Sequence, residues 1–155
     1  MHERAESEPG RPTGLRFGAL VHAVLATVPL NGDVDVIQRL TTVHARTLGA
    51  TDEEAESAAK AAQTVLAQPI LVRAHKASEA NRCRRDTPVA WRDGDNLIEG
   101  VVDLAFEAEG KWTVIDFKTD EELTRFSNYA MQVGLYGKAM QAATGQATSV
   151  VLMRI

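Results

Sequence analysis

Cys83 is the only cysteine in the chain of 155 residues. One thiol excludes an internal disulfide and any cluster that needs four thiolates, so no iron–sulfur cluster is expected. Long apolar runs are missing as well. None reaches the ~20 residues of a membrane-spanning helix, and Met1-His2-Glu3-Arg4 does not open a signal peptide. The expectation is a chain without membrane association, in the cytoplasm. An excess of positive charge is also absent: 17 Lys and Arg stand against 21 Asp and Glu, a net charge of −4. Bulk charge therefore does not advertise a nucleic-acid binder. What remains, 45% hydrophobic and 25% charged, is the composition of one globular domain large enough to bury a core.

The chain divides by the period of its apolar residues. Residues 1–12 are polar and rich in Glu, Pro, Gly and Arg, and read as a disordered lead-in. Residues 13–80 read as helical. Helices are expected from Gly14 to Thr27 behind a Thr13 cap, and from Asp33 to Leu48, closed by Gly49. A third should run from Thr51 to Ala67, with Thr51 and Glu54 in capping-box spacing, and Pro69 should open a further turn. His22 lies beside the apolar stripe of the first helix, where a packed histidine and a ligand are both open readings. His44 and His75 read as structural or surface residues.

From Asp86 the pattern changes to period two, and 86–155 reads as a mixed sheet. Three strands should form a meander, turning at Asp93-Gly94 and Glu109-Gly110. Thr119 to Phe126 reads as irregular. A helix is expected from Ser127-Asn128 to Gly145, and Thr148 to Ile155 should return parallel to the strand of Ile115.

Within Thr113-Val114-Ile115-Asp116-Phe117-Lys118-Thr119, strand alternation points Asp116 and Lys118 the same way. An acid and a lysine at the end of a buried strand are either an ion-paired strand end or a device for chemistry. If the hairpin closes at Glu109-Gly110, Asp103 lies opposite Asp116, and Val101 opposite Lys118. Facing carboxylates repel unless a cation lies between them, and a hard divalent ion suits carboxylate oxygens best. Gly100 inside a strand suggests a close backbone approach. Tyr129, Gln132, Tyr136 and Met140 share one helical stripe, and a Gln in such a stripe needs a partner. Between Arg73 and Arg92 basic residues dominate, with Arg82, Arg84 and Arg85 as the densest group; this is a basic patch or a solvated face.

Gly18-Ala19-Leu20-Val21-His22, Glu99-Gly100-Val101-Val102-Asp103, Val114-Ile115-Asp116-Phe117-Lys118-Thr119 and Gln132-Val133-Gly134-Leu135-Tyr136 occur in an order and spacing that is specific as a set. Over Phe17 to Ile155 the chain resembles the RecB-type nuclease domain of the PD-(D/E)xK superfamily, as found at the C-terminus of UvrD-like helicase–nucleases such as AddA and RecB. The resemblance implies an α/β, restriction-endonuclease-like core of meander, crossover helix and parallel strand behind an N-terminal helical part. Residues 13–155 would then be a single nuclease domain.

It further implies a Mg²⁺- or Mn²⁺-dependent deoxyribonuclease, an exonuclease in recombinational DNA repair. Its partners would be DNA, single-stranded, and a helicase motor domain or subunit. His22, Asp103, Asp116 and the Phe117 carbonyl would bind the metal. Lys118 would act on the attacking water or the developing charge, and Gln132 and Tyr136 would orient the site. Arg82, Arg84 and Arg85 would contact DNA. The alternative is a catalytically silent DNA- or partner-binding domain that kept the fold. The chain departs from its relatives in three ways: it has no GxxxxGK[ST] loop and hence no motor, no cluster cysteines, and Asp86 where Glu is frequent.

Overall fold

The computed structural model describes the backbone of residues 2–4, 12–125 and 129–155, and the side chains of all of these but 2–4, 124, 125, 129 and 130. Of the expected lead-in, residues 1 and 5–11 lie outside the described residues. His2–Arg4 instead form a short strand, β1. The expected helix start at Ser127-Asn128 is likewise outside them.

Four helices follow, and three of them, α2 to α4, start at the residue their chemistry predicts. Helix α1 (Leu15–Thr27) buries Phe17, Leu20, Val21, Val24 and Leu25. Its N-cap is Gly14 without a side-chain bond, not Thr13. Helix α2 (Val34–Leu48) is capped by Asp33, which accepts from the Val36 N–H, and ends at Gly49 with φ 67°. Helix α3 (Asp52–Leu66) is capped by Thr51, which accepts from the Glu54 N–H. Helix α4 (Pro69–Glu79) begins on its proline and runs well past the single turn expected.

Strands β2 (Cys83–Asp93), β3 (Asn96–Ala108) and β4 (Lys111–Lys118) form the meander. After β4 comes a short helix, α5 (Asp120–Arg125), where an irregular segment was expected. Helix α6 (Tyr129–Thr144) crosses over to β5 (Thr148–Arg154). The sheet order is β1-β5-β4-β3-β2, with β5 parallel to β4 and β1 parallel to β5. This is the expected α/β arrangement of meander, crossover helix and parallel strand. Among the described residues no helix is long and apolar enough to cross a membrane.

Both faces of the sheet are covered. Leu104, Phe106, Ile115, Phe117, Val151 and Met153 pack with α1, α3 and α4. Val102, Ala105, Trp112 and Val114 pack with Tyr136 and Met140 of α6. Alternation along β4 therefore turns Asp116 and Lys118, like Val114, toward the α6 face.

The β3–β4 register is the one the Glu109-Gly110 turn sets. It runs from Ala108↔Lys111 to Leu104↔Ile115, with Glu109 at φ 55° and Gly110 at φ 74°. Positive φ at both turn positions matches the twist of a two-residue hairpin. The ladder then stops one pair short of Asp103 and Asp116, so Val101 and Lys118 are not paired. On its other edge, β3 pairs with β2 at Leu104↔Arg85 and again at Val102↔Thr87, skipping Asp103 and Asp86. Asp86 has φ 49°, a left-handed conformation that Asp tolerates. The sheet thus forks at Asp103: β3 leaves β4 and continues with β2 alone.

Candidate metal and nucleic-acid site

The fork is filled by side chains. Asp103 Oδ2 accepts the Phe117 backbone N–H at 2.8 Å, replacing the ladder bond that the parting strands no longer make. Its Oδ1 lies 3.6 Å from His22 Nδ1. Asp116 is 3% exposed, with Lys118 Nζ 3.2 Å from its Oδ2. That Oδ2 is buried and accepts no hydrogen bond among the described residues. Burial raises the Asp116 carboxyl, Lys118 lowers it, and Asp103 raises it again, leaving it at about 7. For Lys118, burial lowers the ammonium's pKa, but Asp116 together with Glu122 and Asp103 more than offsets this, and the net direction is upward.

His22 reaches the fork from α1 on the opposite face. Its Nε2 lies 3.0 and 3.2 Å from the two Glu122 oxygens. Burial would lower the ring's pKa, but the bonds to Asp103 and Glu122 prevail and hold it at about 10. Glu122, raised by burial but lowered more by His22 and Thr119, is held at about 2. Glu122 is the residue that sequence reasoning missed. Its signal was present: Thr119-x-x-Glu122 is capping-box spacing, and the box forms. Thr119 N–H donates to Glu122 at 2.6 Å, and Glu122 N–H donates to Thr119 Oγ1 at 3.3 Å.

Tyr136 arrives from α6. Its hydroxyl accepts from Gln132 Nε2 at 3.1 Å. Gln132 is exposed rather than set within the buried stripe, so it reaches its partner from the solvent side; the Tyr129 side chain lies outside those described. The Tyr136 ring lies on Gly100, where a Cβ would come within 2.4 Å of Cε1 and 2.6 Å of the hydroxyl. Burial raises the phenol, and the Asp116 carboxylate raises it further.

The basic stretch divides. Arg82 and Arg84 are exposed. Arg84 bonds the carbonyls of Asn81 and Cys83. Arg85 corrects part of the sequence expectation: it turns inward and donates to the Leu25 carbonyl. Burial lowers its pKa. Leu25 is in the last turn of α1, whose carbonyls have no helical partner and attract a cation, so the half-buried Arg85 braces α1.

His22, Asp103, Asp86 and Phe117 line a cavity of about 160 Å³ with Ala23, Leu25 and Ala26. That is room for a hydrated ion, well below the roughly 300 Å³ at which small-molecule pockets begin. Among the described residues no three His, Cys, Asp or Glu converge on one point as metal ligands. Each is turned to a protein partner: Asp116 to Lys118, Asp103 to the Phe117 N–H, His22 to Glu122. The donor set itself fits a hard divalent cation. It offers two carboxylates and one imidazole, and the buried Asp116 oxygen lacks a hydrogen bond.

Comparison with known proteins supplies the context. The sequence pattern of the PD-(D/E)XK nuclease superfamily matches residues 2–155. The chain is also similar to ATP-dependent helicase/nuclease subunits of three bacteria. It is 41% identical over 64 residues to that of Listeria welshimeri, covering 34% of this chain and 5% of the relative. With that of Listeria monocytogenes it is 43% identical over 61 residues, 32% of this chain and 5% of the relative. With that of Lysinibacillus sphaericus it is 31% identical over 81 residues, 41% of this chain and 6% of the relative. The matched parts are thus about a twentieth of the relatives' length.

Proposed function

Because the chain belongs to the PD-(D/E)XK nuclease superfamily, we propose that it is a divalent-metal-dependent deoxyribonuclease domain. Its setting would be a cytoplasmic helicase–nuclease of recombinational repair, and its action exonucleolytic on single-stranded DNA. The observation that carries this reading is the meeting at the sheet fork of Asp116, Lys118, Asp103 and His22, which arrive from two strands and a helix.

His22, Asp103, Asp116 and the Phe117 carbonyl would hold Mg²⁺ or Mn²⁺. When bound, such an ion polarises a phosphate oxygen and yields hydroxide near neutral pH. Lys118 keeps its proton beside Asp116 and stabilises the charge that develops on the scissile phosphate. Tyr136 and Gln132 position the substrate backbone from α6. Arg82 and Arg84 neutralise phosphates outside the site. A motor domain or subunit would deliver the strand, consistent with the small share of the relatives that this chain matches.

One observation favours the second reading, a silent DNA- or partner-binding domain: the side chains are satisfied by each other rather than gathered on one point. Incubation with single-stranded DNA decides between them. The nuclease reading predicts cleavage with Mg²⁺ or Mn²⁺ that stops with EDTA. Binding without cleavage in every metal supports the silent domain.

A further inference from the structure

We propose that Glu122 is the positioning carboxylate of His22: by holding Nε2, it presents Nδ1, the nitrogen facing Asp103, to the divalent ion. The inference rests on the metal-dependent reading above and adds a residue and an orientation to it.

An imidazole gives a metal one lone pair, and its other nitrogen then carries a proton that needs an acceptor. Metal-bound histidines nearly always donate that N–H to a carboxylate or carbonyl, which fixes the ring. Here the ring is bracketed. Nε2 is 3.0 Å from Glu122 Oε1 and 3.2 Å from Oε2. Nδ1 points the other way, 3.6 Å from Asp103 Oδ1, along the wall of the small cavity that Asp103 and Phe117 also line. A surface ion pair needs one such contact; an oriented ligand needs both.

Glu122 is in turn fixed. Its Oε2 accepts the Thr119 N–H at 2.6 Å and the Thr119 hydroxyl at 3.0 Å. Thr119 opens α5 immediately after Lys118, and Asp120 at the head of that helix pairs with Arg154 of β5. The segment that supplies Asp116 and Lys118 therefore also carries the clamp for a histidine from the far side of the sheet.

The test is Mn²⁺ affinity by calorimetry, without DNA, on wild type, Glu122→Ala, Glu122→Gln and Thr119→Val. Glutamine offers one acceptor oxygen where Glu122 uses two, so it can still take Nε2–H while giving up the Thr119 N–H, and its affinity should lie between wild type and alanine. Alanine should weaken binding 10- to 100-fold, the usual cost of losing such an outer partner. Thr119→Val loses the hydroxyl bond to Oε2 but keeps the N–H bond, so it should lower the melting temperature and weaken Mn²⁺ binding less than alanine at Glu122 does. Equal loss in Gln and Ala would make Glu122 a ligand in its own right and overturn the assignment, as would unchanged binding in Ala. Should Glu122→Ala not fold, ¹⁵N spectra of wild-type His22 with Mg²⁺ give the same answer. Perturbation at Nδ1 with Nε2 still protonated supports the assignment; metal on Nε2 overturns it. A wild type that binds no metal overturns the metal-dependent reading itself, an outcome distinct from wild type and Glu122→Ala binding equally.

Discussion

At the residue scale, Asp116 carries opposing influences. Burial and Asp103 raise its carboxyl and Lys118 lowers it, to a balance of about 7. A raised carboxyl holds its proton in the folded state after the unfolded chain has released it. Its contribution to stability is therefore full below the ordinary carboxylate range and is lost as pH rises through about 7. In EDTA the wild type should lose stability between pH 5 and 8, whereas Asp116→Asn, with nothing to ionise, should keep more of it. Melting curves across that range check this, and a wild type that gains stability with rising pH contradicts it. Lys118→Ala removes the ammonium and leaves every proposed metal-holding residue in the chain; cleavage should fall by about 10²- to 10³-fold, the scale of a lost transition-state donor, with Mn²⁺ affinity nearly intact. Asp116 and Lys118 were legible because strand alternation fixes their shared face. Glu122 was legible only as a cap to Thr119; its contact with His22, a hundred residues away in the chain, was not, since no periodicity spans that separation.

At the scale of elements, Gly100 is where α6 meets β3. The three atoms nearest a Cβ there are the outer ring atoms and hydroxyl of Tyr136, at 2.4 to 2.8 Å, so Gly100→Ala should displace that buried ring and lower the melting temperature by about 4 °C. Its cleavage should fall toward the level of Tyr136→Ala, since a misplacement near 1 Å can cost about 10²-fold. The double variant should be no worse than either single one; additive losses would uncouple the two residues.

The start of β2 makes a similar division among the arginines at and just before it. Replacing Arg82 and Arg84 with alanine should weaken DNA binding and lower the slope of log affinity against log salt by about 0.7 for each phosphate no longer neutralised. Arg85→Ala should instead lower the melting temperature, because it frees the end of α1. The β3–β4 register was readable from its turn, and the parallel return of β5 from the strand-helix-strand order. Helix α5 escaped because Asp-Glu-Glu-Leu-Thr-Arg has no apolar stripe and is six residues long, and Arg85 reads like its exposed neighbours until the carbonyls of α1 are in place.

At the scale of the whole molecule, filling the site should remove the carboxylate repulsion, and mass action adds about 2.7 kcal/mol at a hundredfold excess over the dissociation constant. The melting temperature should rise with Mn²⁺ in wild type and barely move in Asp116→Asn; a flat wild-type titration argues against a metal site. The sheet's main order followed from the meander and the crossover, but β1, three residues long with no pattern to read, emerges only beside β5. The fork has a further consequence. Inside it, β3 is flanked by both β2 and β4; beyond it, Asn96 to Val102 pair with β2 alone. The outer ribbon is steadied mainly where it touches α6, at Gly100 under Tyr136 and at Trp91, 5.3 Å from Lys138 Nζ. A two-stranded ribbon is marginal without such support, so its amides should exchange with deuterium well before those of Leu104 to Ala108. The site lies on the seam between the part of β3 that is held on both sides and the part that is held on one.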